Sequence, residues 1–516
     1  MTEARTLMVQ GTTSHCGKSV LVAALCKIFA DAGYRVAPFK SQNMSLNSYV
    51  TESGEEIARA QAMQAFAAGI EPSAEMNPIL LKPKGNMVSQ VVFKGKPYKD
   101  LRAKDYFTHF ALKEGLKGAS ESLKKLMSKY ELIVIEGAGS PAEINLYQME
   151  IANMRIADMA NAPVLLVADI DRGGALASLI GTLDLLKKSH RDRVEGFVLN
   201  KFRGDLGLLE PGLRKLERMT RKPVLGVLPY IEDFKLPSED SVSLEEPSSE
   251  TPADLDLVVI RFPRISNFTD FDPLKFERGV RVRLAKSPDE VGDPDAVILP
   301  GSKNTVQDMV WLKEQGLASR LVELSSKGIP ILGLCGGYQM LGKTVIDEKG
   351  LESGVAGQTI NGLGLLDIVT RFDAYEKATN RVAAQVVGSG SILGSVRGEV
   401  IHGYEIHMGT SILGKASKPI FKIIRSSDRR INRFDGAVDE RGLVFGTYIH
   451  GIFDFPPVRK AFIEHLMKQK GLSFKSKFGS VREAWKESLE RLAKIVTENL
   501  DMKKICGVAG LSLPPG

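Results

Sequence analysis

The stretch "ILGLCGGYQMLG" (331–342) decides the fold of the second half of the chain. Its apolar residues predict a buried strand, and the residues after Cys335 predict a helix. A nucleophile at the sharp turn between a strand and a helix needs small neighbours, which Gly333 and Gly336 provide here. The helix N-terminus favours a thiolate, so the pattern predicts that Cys335 is a catalytic nucleophile. The backbone N–H groups of Gly336 and Gly301 are predicted to bind the developing oxyanion.

A cysteine nucleophile needs a base, and seven histidines are available. His450 is the best placed, because it ends the predicted strand "LVFGTYIHG" (443–451). In a parallel sheet that strand delivers its last residues to the same edge as Cys335. His402 and His407 stay open as alternatives.

A second glycine-rich stretch, "GTTSHCGKS" (11–19), connects a predicted strand at residues 6–11 to a predicted helix at residues 18–33. It has the mechanics of a phosphate-binding loop (P-loop), in which backbone N–H groups and a helix N-terminus hold phosphates. The spacing between its two glycines is one residue longer than usual. We expect phosphate contacts from Gly11, Thr12, Gly17, Lys18 and Ser19, with the Ser19 hydroxyl also a Mg²⁺ ligand.

Polar side chains end two other predicted strands of the first half. Glu136 follows the apolar run of "LIVIEGAGS" (132–140), where a carboxylate beside the phosphate loop completes a Mg²⁺ site of oxygen ligands. Asn200 ends "FVLN" (197–200) and is expected to contact the adenine edge of a nucleotide. A structural turn asparagine is an equal alternative for Asn200 on spacing alone.

Short apolar runs alternate with helical patterns along most of the chain, which predicts parallel sheets covered by helices on both faces. We therefore predict two α/β domains, each doubly wound with a mostly parallel sheet, at residues 1–235 and 255–460. Residues 236–254 are acidic and rich in serine and proline, and are predicted to be a linker. Residues 461–516 are predicted to form a helical extension.

Composition narrows the classes of function. The 516 residues are 43% hydrophobic and 25% charged, as in ordinary globular proteins. The net charge of +7 is spread along the chain, which argues against nucleic acid as a partner but suits an anionic substrate. No apolar run is long enough for a membrane span, and the first residues do not resemble a signal peptide. Four scattered cysteines suit a reducing cytoplasm.

Taken together, these motifs resemble the cobyric acid synthase family of the cobalamin pathway. In that family a dethiobiotin-synthetase-like P-loop domain precedes a class I glutamine amidotransferase domain of the flavodoxin-like type. The resemblance covers nearly the whole chain. Besides the two motifs above, it is carried by "APFKSQNMSLNS" (37–48), "GEEIARAQAMQA" (54–65), "VADIDRGG" (167–174), "RISNFTDFDPL" (264–274) and "GYEIHMG" (403–409).

The resemblance implies a ligase that uses glutamine, ATP and Mg²⁺. Its substrate would be adenosylcobyrinic acid a,c-diamide, whose b, d, e and g side-chain carboxylates become amides to give adenosylcobyric acid. Lys40, Asn43 and Glu56 would then lie near phosphate, substrate or metal. A homo-oligomer is left open.

Two rival interpretations share these motifs. One is the related cobyrinic acid a,c-diamide synthase, which has the same modules and amidates other carboxylates. The other is a P-loop regulatory ATPase with a degenerate amidotransferase domain.

The sequence departs from class I amidotransferases at one position. Many of them carry a glutamate two residues after the histidine, and Ile452 stands there in this chain. Asp454 is a candidate substitute for the acid that orients His450.

Overall fold

The computed structural model describes residues 4–85, 87–231, 235–236, 253–476 and 478–512. The predicted linker, residues 236–254, lies almost entirely outside the described residues. Within the described ranges no helix combines the length and the apolar character that a membrane crossing requires.

The helices follow one another from the phosphate loop to the C-terminal segment, and a segment with wider turns, Tyr106–Gly115, joins two of them. They are α1 (Lys18–Asp31), α2 (Arg59–Ala67), α3 (Ala103–Asp105), α4 (Leu116–Met127), α5 (Met154–Met159), α6 (Ala175–Leu185), α7 (Lys188–Arg193), α8 (Leu206–Thr220), α9 (Asp272–Lys275), α10 (Pro288–Val291), α11 (Thr305–Glu314), α12 (Leu317–Ser326), α13 (Gly336–Leu341), α14 (Pro456–Gln469), α15 (Val481–Asn499) and α16 (Met502–Val508).

The strands are mostly short, as is usual for globular proteins. They are β1 (Arg5–Gly11), β2 (Val36–Phe39), β3 (Gln42–Met44), β4 (Ser48–Val50), β5 (Glu56–Ala58), β6 (Ile79–Gly85), β7 (Val88–Phe93), β8 (Lys96–Arg102), β9 (Leu132–Glu136), β10 (Val164–Asp169), β11 (Val194–Phe202), β12 (Val224–Pro229), β13 (Leu255–Ile260), β14 (Ile265–Ser266), β15 (Val280–Ala285), β16 (Ala296–Leu299), β17 (Gly301–Ser302), β18 (Ile331–Leu334), β19 (Thr344–Asp347), β20 (Gln358–Asn361), β21 (Ile368–Arg371), β22 (Ala378–Val386), β23 (Val400–His407), β24 (Thr410–Leu413), β25 (Phe421–Ser426), β26 (Arg429–Asp435), β27 (Ala437–Val438), β28 (Val444–Thr447) and β29 (Ile449–His450).

The first half of the chain is built on a six-stranded sheet in the order β12-β11-β10-β1-β9-β2, and all its pairings are parallel. The central strands are continuous apolar runs because helices cover both faces of the sheet. Strands β1 and β9 are neighbours, so the phosphate loop after β1 and Glu136 at the end of β9 meet at one edge. The predicted parallel α/β fold is confirmed.

The second half repeats this plan with the order β15-β13-β16-β18-β28-β27, which is parallel except for the edge pair β27–β28. Strand β18 lies between β16 and β28. The residues that follow these three strands include Gly301, Cys335 and His450, so the topology gathers them at the carboxyl edge of the sheet.

Antiparallel sheets, which the sequence analysis did not predict, extend both halves. One has the order β26-β25-β22-β23-β29, and its last pair places His450 opposite Tyr404. Another, β3-β6-β7-β8, has one parallel and two antiparallel pairs. Each of these sheets is an insertion within its own half, since β3–β8 fall between β2 and β9 and β22–β26 fall between β18 and β28. Both supply residues to the contact between the halves, as described below.

The residues after 461 are helical as expected, but they do not form a separate extension. Helix α14 packs in the core of the second half through Phe462 and Leu466. Helices α15 and α16 return to the first half, where Leu492 and Ile505 belong to the same buried cluster as α1. Trp485 of α15 also packs against Phe66 of α2, with ring centroids 6.2 Å apart. Helices α15 and α16 therefore complete the hydrophobic core of the first half.

Candidate active site

Cys335 occupies a strained turn between β18 and α13. Its φ of 52° and ψ of −108° are unusual for a residue with a side chain. A side chain at Gly336 would place its Cβ 2.8 Å from the backbone nitrogen of Ser302, and one at Gly333 would place it 2.7 Å from the carbonyl group of Gly337. The glycines around Cys335 are therefore required by close packing, as the sequence predicted for a nucleophile elbow.

His450 is completely buried, and its imidazole is held by a carboxylate from a distant segment. Its Nδ1 lies 2.6 Å from Oδ2 of Asp270, whose other oxygen accepts a hydrogen bond of 3.0 Å from the backbone N–H of Gly451. The amide Nδ2 of Asn267 lies 3.3 Å from Nε2 of the same ring. Asp270 therefore fixes which nitrogen of His450 faces the thiol side.

Electrostatics agree with this arrangement. Burial by itself lowers the pKa of His450, but the Asp270 carboxylate and the nearby Cys335 thiol together raise it to about 10. The Asp270 carboxylate therefore favours the positively charged form of the imidazole beside the thiol.

Asp454, the candidate substitute for the missing glutamate, does not contact the His450 ring. It is half-buried, and its partial removal from water raises its pKa to about 6, while the Arg59 guanidinium counteracts that rise. Ile452 packs in the apolar core of the second half. Asp270 was not predicted, because nothing in "NFTDF" (267–271) connects this acid with a histidine 180 residues away.

A cavity of about 40 Å³ adjoins the Cys335 thiol. His407 lines this cavity and stacks on Tyr448, with ring centroids 3.8 Å apart, whereas His402 is exposed on another face. Gly301 pairs with Ser266 in a short antiparallel bridge, and its neighbour Ser302 lines the cavity. The predicted oxyanion donors thus lie beside the elbow, and their role stays a prediction.

The phosphate loop has the expected strand–loop–helix geometry. Gly17 precedes α1 with a φ of 97°, a conformation that favours glycine. The ammonium group of Lys18 is buried and donates to the carbonyls of Thr13 and Gly139 at 2.9 and 3.1 Å. The backbone N–H of Thr12 donates to the carbonyl of Val167 at 2.9 Å. The lysine therefore points into the loop rather than into solvent.

Glu136 is buried beside the phosphate loop, and four side chains donate to its carboxylate. Ser19 and Lys40 donate to Oε1 at 2.7 Å each, and Gln64 and Gln61 donate to Oε2 at 2.5 and 3.2 Å. Neither glutamine was expected from the sequence. Within the described part of the chain, no group of three or more His, Cys, Asp or Glu residues is placed to hold a metal ion.

Asn200 supports the phosphate loop from the neighbouring strand. Its Nδ2 donates to the carbonyl of Cys16 at 2.9 Å, and the amide group packs directly against Gly17. This contact gives the asparagine a structural task in the loop. The predicted contact with adenine stays a prediction.

The three remaining predicted residues divide between the two centres. Lys40 contacts Glu136, and Asn43 donates to Oε1 of Gln61 at 2.8 Å, so both lie beside the phosphate loop. Glu56 instead forms buried ion pairs with Lys82, at 2.6 Å, and with Lys377. Both lysines line the cavity of Cys335, so Glu56 belongs with the thiol centre.

Comparison with known proteins finds a matching family model for each half of the chain. Residues 7–244 match the model of a CobQ/CobB/MinD/ParA nucleotide binding domain, and residues 256–458 match that of a CobB/CobQ-like glutamine amidotransferase domain. The cobyric acid synthases of Pelotomaculum thermopropionicum and Moorella thermoacetica are 49% and 50% identical to the chain. Each alignment covers 99% of this chain and 98% of the relative. A probable cobyric acid synthase of Methanothermobacter thermautotrophicus is 50% identical over 97% of this chain and 98% of its own length. The chain therefore belongs to the cobyric acid synthase family.

Proposed function

We propose that the chain amidates the b, d, e and g carboxylates of adenosylcobyrinic acid a,c-diamide in the cytoplasm, using glutamine and ATP. The observation that carries the proposal is the pairing of two centres in one molecule. One is a thiol centre of Cys335, His450 and Asp270, and the other is a phosphate loop whose lysine is buried beside Glu136. Ligases of this kind need a source of ammonia and a site that activates a carboxylate, and the two centres suit these tasks.

The thiol centre would release ammonia. The Cys335 thiolate attacks the side-chain amide carbon of glutamine, and the carbon–nitrogen bond breaks as His450 donates its proton to the departing nitrogen. Water, deprotonated by His450, then hydrolyses the thioester to glutamate. Asp270 keeps the imidazole oriented through both steps, since it holds Nδ1.

The phosphate centre would activate the corrinoid. A side-chain carboxylate attacks the γ-phosphate of ATP to give an acyl phosphate and ADP, and ammonia then displaces phosphate to form the amide. Ser19 and Glu136 present adjacent oxygen atoms, which fit a Mg²⁺ ion shared with the phosphates. That ion would neutralise charge on the phosphates, and Lys18 would do the same from within the loop.

The segment 40–48 connects the two centres. At one end Lys40 contacts Glu136, and at the other the backbone N–H of Ser48 donates to Oδ1 of Asn267 at 3.0 Å. The other end of the Asn267 amide faces His450. Ammonia is protonated in open water and loses its nucleophilicity, so a buried connection between the centres favours direct transfer.

The proposal is tested by incubating the purified chain with the corrinoid a,c-diamide, ATP, Mg²⁺ and glutamine labelled with ¹⁵N in the side-chain amide. Mass spectrometry should show label in four new amides. A parallel incubation replaces the a,c-diamide with cobyrinic acid, and label at its a and c positions, with none added to the a,c-diamide, would instead identify an a,c-diamide synthase. ATP hydrolysis that neither glutamine nor corrinoid alters would indicate a regulatory ATPase.

A further inference from the structure

The imidazole of His450 is held at one atom by a carboxylate and on one face by an aromatic ring. Asp270 lies 2.6 Å from Nδ1, whereas the ring of Tyr404 is nearly parallel to the imidazole, with centroids 5.1 Å apart and an interplanar angle of 15°. The two stacked residues are opposite one another in the pairing of β23 with β29. A single hydrogen bond leaves a planar ring free to tilt about that atom, and a second ring packed on its face opposes the tilt.

Tyr404 belongs to the second half of the chain, but residues of the first half contact its ring. The side chain packs with Val50 in a small buried cluster, and the guanidinium of Arg59 lies 5.9 Å from the ring centroid. The Tyr404 hydroxyl is buried and has no hydrogen-bond partner among the described residues. The position of the ring therefore depends on the groups that pack around it.

Arg59 is a buried cation at the contact between the halves. The residue is only 5% exposed, and its Nε has no hydrogen-bond partner in the part of the chain that the structure describes. Three aromatic rings lie close to the guanidinium, those of Trp485, Tyr49 and Tyr404, with centroids 5.4, 5.9 and 5.9 Å from Cζ. A buried donor without a hydrogen bond is unfavourable, so the contacts with the rings and with nearby charges must compensate.

The nearby charges are carboxylates of the second half. Burial by itself lowers the pKa of Arg59, but Tyr404 and three carboxylates together raise it above its usual value. The carboxylates belong to Asp454, Asp270 and Asp272. The guanidinium is therefore a permanent cation, and its attraction to these acids keeps it next to the Tyr404 ring.

We propose that Arg59 is a positioning residue of the thiol centre, which holds the Tyr404 ring against His450 from the first half of the chain. This inference rests on the glutaminase part of the proposed function. The proton transfers assigned to His450 require one orientation of the imidazole, and a small displacement of a catalytic group slows a reaction by up to about 10²-fold. Arg59 does not line the cavity beside Cys335, so it should affect how fast bound glutamine reacts and not how tightly glutamine binds.

Helix α2 provides an internal check, because it contacts the phosphate centre as well. Arg59 is its first residue, and Gln61 and Gln64 farther along the helix donate to the Glu136 carboxylate. A substitution that displaced the whole helix would therefore impair carboxylate activation together with glutamine hydrolysis. A substitution that only released Tyr404 would impair glutamine hydrolysis alone.

The test measures glutamate release by the full chain as a function of glutamine concentration. Arg59→Met should lower kcat about 10- to 100-fold and change KM less than about 3-fold. Arg59→Lys, which keeps the cation but not the planar group, should recover part of the lost kcat. Arg482→Met is the matched control, because Arg482 is exposed and its guanidinium lies 5.5 Å from the ring of Phe66 on the same helix.

Two results with folded Arg59→Met would overturn the assignment. One is an unchanged kcat, or a loss that appears in KM alone. The other is an equal loss of corrinoid amidation with ammonium, because the residue would then support the structure of α2 and not the orientation of His450. Thermal unfolding of each variant establishes that it is folded.

A double-mutant cycle tests whether Arg59 acts through Tyr404. Tyr404→Leu should lower kcat by a factor similar to that of Arg59→Met. The double variant should be no slower than the slower single variant, since both changes release the same contact. Losses that multiply would show that the two residues act independently and would overturn the assignment. If Arg59→Met does not fold, the same cycle is measured with Arg59→Lys.

The two proposals fail in distinguishable ways. A chain whose glutamate release depends on Arg59 as predicted, but which adds no amide to a corrinoid, would keep the positioning role and refute the proposed substrate. A chain that amidates the corrinoid from glutamine equally well in the wild type and in Arg59→Met would do the reverse.

Discussion

The phosphate centre and the thiol centre both lie at the carboxyl edge of a parallel sheet, but they are assembled over different distances along the chain. Most of the phosphate centre comes from one loop, residues 11–19, joined by Glu136 from the adjacent strand. The thiol centre combines Cys335, His450 and Asp270, and the last two are 180 residues apart. Local sequence therefore specifies the first centre, whereas the second depends on how separate elements pack.

The two centres also differ in how their charges are balanced. At the phosphate centre the Glu136 carboxylate is met by an ammonium group and three other donors within the first half. At the cavity beside Cys335 the cluster of Glu56, Lys82 and Lys377 draws its charges from both halves. The charged cluster around this cavity is thus complete only when the halves are in contact.

The strongest test of this separation is Cys335→Ala. It should reduce glutamine-dependent amidation by about 10⁴-fold, because no other nucleophile can form the thioester. Amidation with ammonium should be retained, since carboxylate activation occurs at the other centre. Both activities are read by mass spectrometry of the corrinoid. A parallel loss of both in a folded variant would refute the division of tasks.

Lys18→Ala should give the complementary result. Amidation should fall about 10²- to 10³-fold with either nitrogen source, because the charge that stabilises the phosphates is lost. Lys27→Ala is the control on the same helix, since Lys27 is paired with Asp31 at the surface. Normal ammonium-dependent turnover by Lys18→Ala would remove this lysine from the ATP site.

Asp270→Asn should reduce glutaminase activity by about 100-fold, because the imidazole loses the acceptor that fixes its orientation. The pKa of His450 should fall from about 10, so the imidazolium loses its proton at lower pH and the alkaline limb of the rate profile moves down. Asp454→Asn should leave the profile in place. If the pH profile is unchanged in Asp270→Asn and altered in Asp454→Asn, Asp454 is the residue that orients His450.

Leu492→Ala tests whether the C-terminal helices belong to the phosphate half. Leu492 is buried in the cluster that contains α1, so shortening its side chain to that of alanine should lower the free energy of unfolding by about 2–4 kcal/mol. Thermal unfolding followed with probes in each half should show the loss in the first half, with little change in glutaminase rate. Equal destabilisation of both halves would indicate that they unfold together.

The smallest expected effect is a pH dependence of stability. The folded-state pKa of His450 is raised above its unfolded value of 6.5 to about 10. The resulting stabilisation is fully present below pH 6.5 and is lost as pH rises toward 10. The Tm of the wild type should therefore exceed that of Asp270→Asn by a few degrees at pH 6, and the gap should narrow by pH 10. A gap that stays constant between pH 6 and pH 10 would show that titration of His450 does not contribute to the difference in Tm.

Motifs at strand ends were predictable because their chemistry is local. The sequence identified the two parallel sheets, the elbow of Cys335 and the phosphate loop, and the resemblance to the family is confirmed by full-length relatives. Asp270 was not identified, because contact across 180 residues is set by packing and leaves no spacing to recognise. The packing of α15 against α1 could also not be predicted from the sequence, since an amphipathic helix has the same pattern whichever surface it covers.

The packing of α15 and α16 against the first half delays completion of that half's core during synthesis of the chain. When the phosphate loop and its sheet have emerged, the apolar face of α1 that Leu492 and Ile505 will cover is still exposed. It stays so until nearly the whole second half has been synthesised, which is a period in which nascent chains aggregate. Residues 1–235 expressed alone should accordingly be poorly soluble, and adding residues 478–512 as a separate peptide should improve their recovery.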